Sequence, residues 1–290
     1  MDPQWAAESN LSRILALTGL IHALALVSVG LRLYARIGLL RSPGRDDIVV
    51  VGASMLALGG WLCLILQGYH GLGRHTKTIS KKDLVIYDKI GFFQSIISAI
   101  GALGLLKISI ALFLLRLSKN KWYSRSLWAL IGFVLVYTVG AWLTFLLRCR
   151  PMAAFWDKSL GGTCYSVKLF VTVALANSDT DSARVFTDVC FATLPFPIIW
   201  SLQMSQRTRA YLIGVLSLGY LAVAMGIVKA VYQIRSSANM DKHFIQFWGF
   251  LQLNIGIIAS TIPILKPLLK KANSTSGANR YNHFNENDRP

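Results

Sequence analysis

Apolar residues in this chain are gathered into long blocks instead of alternating with polar ones. A membrane-spanning helix needs about 20 predominantly apolar residues. Seven blocks qualify: Ile14 to Tyr34, Ile48 to Gln67, Ile90 to Leu115, Leu127 to Leu147, a long run from Lys168 to Leu202, Ala210 to Tyr232, and Ile245 to Leu265. Polar residues fall between them in short segments. The pattern predicts an all-α membrane protein: a seven-transmembrane helix bundle over residues 1–271, followed by an Asn-, Ser- and Arg-rich cytoplasmic tail, 272–290, expected to be disordered.

An odd number of spans puts the termini on opposite sides. Placing the N-terminus outside leaves more Lys and Arg on the inner segments, among them Arg32, Arg36, Arg41, Arg45, Arg116, Lys119, Lys121, Arg125, Lys266, Lys270 and Lys271. The same orientation puts Cys149 and Cys164 together in one outer loop. A disulfide there needs the oxidising side; two free thiols are the alternative. It also exposes the glycosylation sequon at Asn10 on the outside and keeps the one at Asn273 inside. Met1 to Arg13 lacks a basic n-region, so the first block is expected to stay in the mature protein.

Composition agrees with the pattern and narrows the chemistry. Of 290 residues, 54% are hydrophobic and 15% charged, and mean hydropathy is +0.49; a soluble domain carries about 25% charged residues. The net charge of +17 comes from basic segments beside apolar blocks, which fits an anionic membrane surface better than nucleic acid. Glutamate occurs only at Glu8 and Glu286, so buried carboxylate chemistry falls to Asp. Four cysteines without CxxC spacing give no support to a zinc or redox centre, and no metal is expected.

The fifth run is irregular. Its 35 or so residues would extend roughly 50 Å as one helix, against about 30 Å of hydrocarbon. Counting back from Leu202 places Asn177 to Asp181 at or beyond the outer surface, with Pro195 and Pro197 kinking the inner half.

Along the chain stand Gly44-Arg-Asp-Asp47, Gly71-Leu-Gly73-Arg-His75, Lys107-Ile-Ser109 with Leu114-Leu-Arg116, Arg148-Cys-Arg-Pro151, Phe155-Trp-Asp157, Gly162-Thr-Cys164, Thr187-Asp188 with Leu194-Pro-Phe-Pro197, Leu218-Gly219, Leu253-Asn254, Ile262-Pro263 and Lys266-Pro267-Leu268. In order and spacing these segments resemble the fungal rhodopsin-domain family of seven-helix integral membrane proteins. The resemblance implies a multi-pass membrane protein of the plasma membrane or an endomembrane, receptor-like in some members and tied to secondary-metabolite biosynthesis in others. Retinal is not expected, because the only Lys of the seventh run, Lys266, lies at its inner end. The chain departs from the family in having Gln252 for a usual Glu, Lys229 for a frequent Arg, and Arg184 for a usual Asn. An Asn-x-x-Thr-Asp pattern recurs two helical turns earlier, from Asn177 to Asp181.

Ionisable groups inside a membrane are functional candidates, because unpaired charge in hydrocarbon is costly. Helical rise places Asp188, Lys229 and Gln252 in the outer half of neighbouring helices, with Arg184 one turn from Asp188. These four are expected to line one outward-opening pocket, with His75 as a lid residue on the strength of the family match. A structural Arg184–Asp188 pair and snorkelling of Lys229 are the competing readings. Asp46 and Asp47 read as helix-capping residues, His22 as an inter-helix hydrogen-bonding residue, and Ser109 and Lys107 as an inter-helix contact or an inward snorkel.

Receptor-like sensing of a hydrophobic small molecule is therefore the expected function, with no cofactor, membrane lipids as surroundings, no nucleic acid, and a cytoplasmic signalling partner at the basic inner loops. The alternative is a membrane-embedded enzyme of a secondary-metabolite pathway with Asp188 as acid or base. A small-molecule transporter comes third, since no internal repeat is found.

Overall fold

The computed structural model describes residues 11–73, 79–117, 121–164, 189–190, 193, 217–229 and 246–265. Helix α1, Leu11–Tyr34, continues into a π-helical stretch, Ala35–Leu39. Helix α2 is Arg45–Tyr69. Helix α3 is one rod in three parts: Lys81–Gln94, a π-helical stretch Ser95–Ala102, and Leu103–Leu117. Helix α4 is Lys121–Leu147. Two short strands, β1 (Cys149–Arg150) and β2 (Thr163–Cys164), pair antiparallel. Helices α5, Ser217–Lys229, and α6, Gln246–Leu265, complete the described part. Among the described residues five helices, all but α5, are long and apolar enough to cross a membrane. Most of the predicted fifth run, the ends of the sixth, and the tail 272–290 lie outside the described residues.

The first four predicted blocks and the seventh all appear as helices, with one instructive difference. Helix α3 starts at Lys81, well ahead of the predicted Ile90. Hydropathy sees only charge in Lys81, Lys82, Asp83, Asp88 and Lys89. What extends the helix is a cap, the Ser80 hydroxyl accepting from the Asp83 amide at 3.2 Å, together with burial of Tyr87 against Leu64, Leu72 and Phe250.

The interior is built around α2. Its buried positions Val50, Ala53, Ala57, Gly60, Leu64 and Gln67 recur at helical spacing. Val50, Ala53 and Ala57 meet Ala25 and Val29 of α1, Ala102 and Leu106 of α3, and Leu253 and Ile257 of α6 in one cluster. A second cluster joins Ala111 and Leu114 of α3 to Leu127, Ile131 and Val134 of α4. Small residues set the closest approaches. A Cβ on Gly60 would stand 2.6 Å from Ser98 Cβ, and one on Gly104 would stand 2.8 Å from Thr138 Oγ1. The π-helical stretch shifts backbone pairing, and Trp142 of α4 donates its indole N–H to the Ile96 carbonyl at 3.1 Å.

The outer faces of α1 and α4 are apolar and exposed, including Leu17, Leu20, Leu24, Val27 and Leu31 on α1 and Trp128, Leu135, Val136 and Val139 on α4. Such surface suits hydrocarbon and not water. After α4, a Cys149–Cys164 disulfide closes the loop across the β1–β2 pair. That loop folds onto the bundle end through aromatic contacts: Phe92 stands 4.9 Å from Phe155 and 5.5 Å from Trp156, centroid to centroid. The other end of the bundle lies at the α1–α2 turn.

Candidate functional site

Two polar groups of residues stand out inside the helices, one toward each end of the bundle. Near the disulfide end, a cavity of about 150 Å³ opens between α3, α4, α5 and α6. Its polar wall is Gln94, Ser95 and Ser98 from α3, Lys229 from the end of α5, and Gln246 from the first turn of α6. Ala99, Ile100, Phe145, Gly249 and Phe250 complete its described lining. The π-helical stretch contributes Ser95, Ser98, Ala99 and Ile100 to the wall, and such stretches are frequent at functional sites.

Glycines shape the wall. Lys229 lies across Gly249, where an added Cβ would stand 3.1 Å from Nζ and 3.3 Å from both Cδ and Cε. Gly91 leaves space for the Gln246 amide, whose Nε2 would be 2.6 Å from a Cβ there. The Gln246 carbonyl also accepts from the Tyr87 hydroxyl at 3.4 Å. Gln94 is a buried residue of the cavity wall, and its Oε1, itself inaccessible, has no hydrogen-bond partner among the described residues. Deeper, His22 Nδ1 and Asn254 Oδ1 lie 2.8 Å apart, joining α1 to α6, with Trp61 and Phe250 against the imidazole. This fulfils the inter-helix role expected of His22.

At the opposite end sits a sealed ionic cluster. Arg32 donates from Nη2 to Asp46 Oδ2 at 2.6 Å and from Nε to Asp47 Oδ1 at 2.8 Å. Its third contact, Nη1 to the Ser260 carbonyl at 3.2 Å, reaches α6. Arg36 approaches both carboxylates at 3.4 and 3.8 Å. Ser109 of α3 donates to the Asp46 carbonyl at 2.8 Å, which fulfils the inter-helix hydrogen bond expected there. Capping is real but only part of the role of the aspartates: Asp47 Oδ2 accepts from the Gly44 amide at 3.0 Å while both side chains are buried against arginine. The cluster therefore ties α1, α2, α3 and α6 together at one level.

Of the residues singled out from sequence, Lys229 and Gln252 are both buried, and Lys229 lines the cavity whereas Gln252 is not among its described lining residues. Asp188, Arg184, His75 and Asn10 lie outside the described residues. Cys149 and Cys164 are bridged. Sequence reasoning passed over Gln94, Ser98 and Gln246, although a Gln-Ser pair inside the apolar run Gly91 to Ala102 was a visible signal. It also counted Arg32 and Arg36 only as inner-segment charges. The signal there was two arginines one turn apart, followed across a short turn by two adjacent aspartates.

A model of the fungal rhodopsin domain matches residues 31–271. A SAT4 family membrane protein of Emericella nidulans is 26% identical over 223 residues, covering 74% of this chain and 56% of that protein. Satratoxin biosynthesis SC1 cluster protein 4 of Stachybotrys chartarum is 30% identical over 164 residues, 54% of this chain and 56% of its own length. Receptor GIN3 of Arthrobotrys oligospora is 24% identical over 294 residues, 93% of this chain and 68% of the receptor. The chain thus spans little more than half the length of the first two relatives. No solved structure matches it.

Proposed function

This chain belongs to the fungal rhodopsin domain family, an integral multi-pass membrane protein, and we propose that it is a receptor-like sensor of a hydrophobic small molecule. It crosses the membrane seven times with its N-terminus outside, so that the disulfide loop and the cavity face the outer side. The Cys149–Cys164 bridge supports that orientation, since disulfides persist on the oxidising side.

The observation that carries the reading is the cavity itself: among its described residues, amides, hydroxyls and the Lys229 ammonium line a largely apolar space between helices. Such a wall orients a ligand. Among its described residues no carboxylate, thiol or imidazole is placed to move a proton. Helices α3 and α6, which hold both the cavity wall and the ionic cluster, connect ligand binding at one end to the opposite end, where basic segments meet a signalling partner.

The names of relatives associated with biosynthetic clusters favour a second reading, a membrane-embedded enzyme with Asp188 as acid or base. Deleting the gene and profiling small molecules separates the two. A lost response to an external compound with an unchanged metabolite set supports the sensor, whereas an accumulated pathway intermediate overturns it in favour of the enzyme.

A further inference from the structure

The cavity wall also constrains the charge of what enters it. On the basis of the sensor reading above, we propose that the ligand is an organic carboxylate with a small apolar body, its carboxylate held by the Lys229 ammonium and the Gln246 side-chain amide.

Charge selects the head group. Among the described lining residues of the cavity, Lys229 is the one that carries a full charge, and it is positive. Its ammonium stands at the wall itself: a Cβ on Gly249, which also lines the cavity, would lie 3.1 Å from Nζ. The residue keeps 8% of its surface exposed. In a space of low dielectric a positive charge draws an anion more strongly than it does in water. An ammonium has three donors, so a contact made elsewhere leaves others for a ligand.

Gln246 adds a second donor. It lies one turn before Gly249 on α6, and residues three apart on a helix are neighbours on one face. Its carbonyl is engaged by the Tyr87 hydroxyl, which leaves the amino group as its other polar end. Acceptors are scarcer on this wall. Gln94 Oε1 is sealed, and Ser95 keeps only its lone pairs, because its proton goes to the Gly91 carbonyl at 2.9 Å. A carboxylate only accepts, offers two oxygens to two donors, and makes charge-assisted bonds to an ammonium. A cationic ligand would meet Lys229 as a like charge.

Size selects the body. A space of about 150 Å³ is the volume that, when lined by apolar groups, holds a benzene-sized molecule. Ala99, Ile100, Phe145 and Phe250 supply that lining, with two aromatic faces for a ring or short chain to pack against.

The probes are benzoate and benzamide, flat molecules of the same size that differ in charge. Binding of each is measured by NMR at neutral pH to the full chain in nanodiscs of uncharged phosphatidylcholine, with empty nanodiscs subtracted. The wild type is expected to prefer benzoate. Lys229→Met, which keeps an unbranched stem but removes the charge, is expected to reduce that preference by roughly tenfold or more, the order of one charge-assisted hydrogen bond. Arg125→Gln, which removes an exposed charge at the opposite end of α4 from the disulfide, is expected to leave it unchanged. Lys229→Gln repeats the measurement should the Met variant fail to accumulate, and the wild-type preference is read without any variant. If the wild type binds both probes alike or favours benzamide, the Lys229 charge is answered within the protein, and the carboxylate assignment is overturned while the pocket stands. A preference that survives loss of the ammonium, or that falls as far in Arg125→Gln, overturns it in the same way. If neither probe binds, or if Ala99→Trp, which fills the cavity, leaves both bound, the pocket and the sensor reading built on it fail.

Discussion

Arg32 and Asp46 meet at 2.6 Å with relative exposures of 1% and 3%, an ion pair sealed between helices in a chain with few charges to spare. Two charges out of water are tolerated only when geometry and additional hydrogen bonds satisfy them. Here each of the three guanidinium nitrogens makes a bond, Nη2 to Asp46, Nε to Asp47 and Nη1 to a carbonyl of α6. The cluster is thus a joint among four helices as much as a pair.

Removing one partner strands the others. Arg32→Met leaves Asp46 and Asp47 with Arg36 and the part-exposed Arg116, whose Nη1 stands 4.0 Å from Asp46 Oδ1, and is expected to cost on the order of 3–5 kcal/mol, read as a fall in thermal stability and cellular abundance. Arg32→Lys should rescue little, because an ammonium cannot span two carboxylates and a carbonyl as the planar fork does. A lysine variant as stable as the wild type would show that charge alone matters.

The disulfide makes a different prediction. Its loop has a sequence separation of 15, for which closure contributes about 3 kcal/mol in the chain-entropy treatment. Cys149→Ser and Cys164→Ser should lower the melting temperature equally, and the double variant should be no worse than either. Non-reducing peptide mapping should recover the two cysteines linked. Unequal single variants would mean that one thiol has a separate role.

At the cavity, Gly249→Val tests the placement of Lys229. The Cβ alone would stand 3.1 to 3.3 Å from Nζ, Cδ and Cε of Lys229, and the branched methyls add bulk beyond it, so the lysine side chain is expected to be displaced. The expected result is altered small-molecule binding with the protein still inserted and abundant. Unchanged binding would remove Lys229 from the working wall.

In the disulfide loop, Asp157 accepts from both the Ser159 amide and its hydroxyl, which holds its carboxyl below the usual range. A depressed pKa means that the turn Lys158–Leu160 is fully supported above the ordinary carboxylate range and is released as pH falls through the lower folded value. Amide exchange at Ser159 should accelerate in that acidic window. Asp157→Asn should flatten the pH dependence, and a profile unchanged by that substitution would assign the transition to another group.

How much of this was legible in the chain follows from the range of each interaction. Span length is a local property, so the five long apolar helices follow from runs of apolar residues, and the start of α3 was missed because its first turns are held by a cap and by burial of Tyr87. The Cys149–Cys164 bridge was legible because both cysteines share one loop.

The polar groups are another matter. Hydropathy scores Arg32 as a charge at the inner end of an apolar block and Gln94 as a blemish in an apolar run, and neither score knows what stands opposite. Only packing brings Arg32 beside Asp46, Asp47 and the carbonyl of Ser260, and only the approach of α4, α5 and α6 to the π-helical stretch of α3 turns Gln94, Ser98, Lys229 and Gln246 into one wall. The sequence by itself determined that the chain lies in a membrane, because burial in hydrocarbon depends on composition summed along each helix. Which polar side chains meet was decided by the tertiary structure, because helix rotation and approach depend on small residues such as Gly60, Gly91 and Gly249 and on the neighbours that they admit.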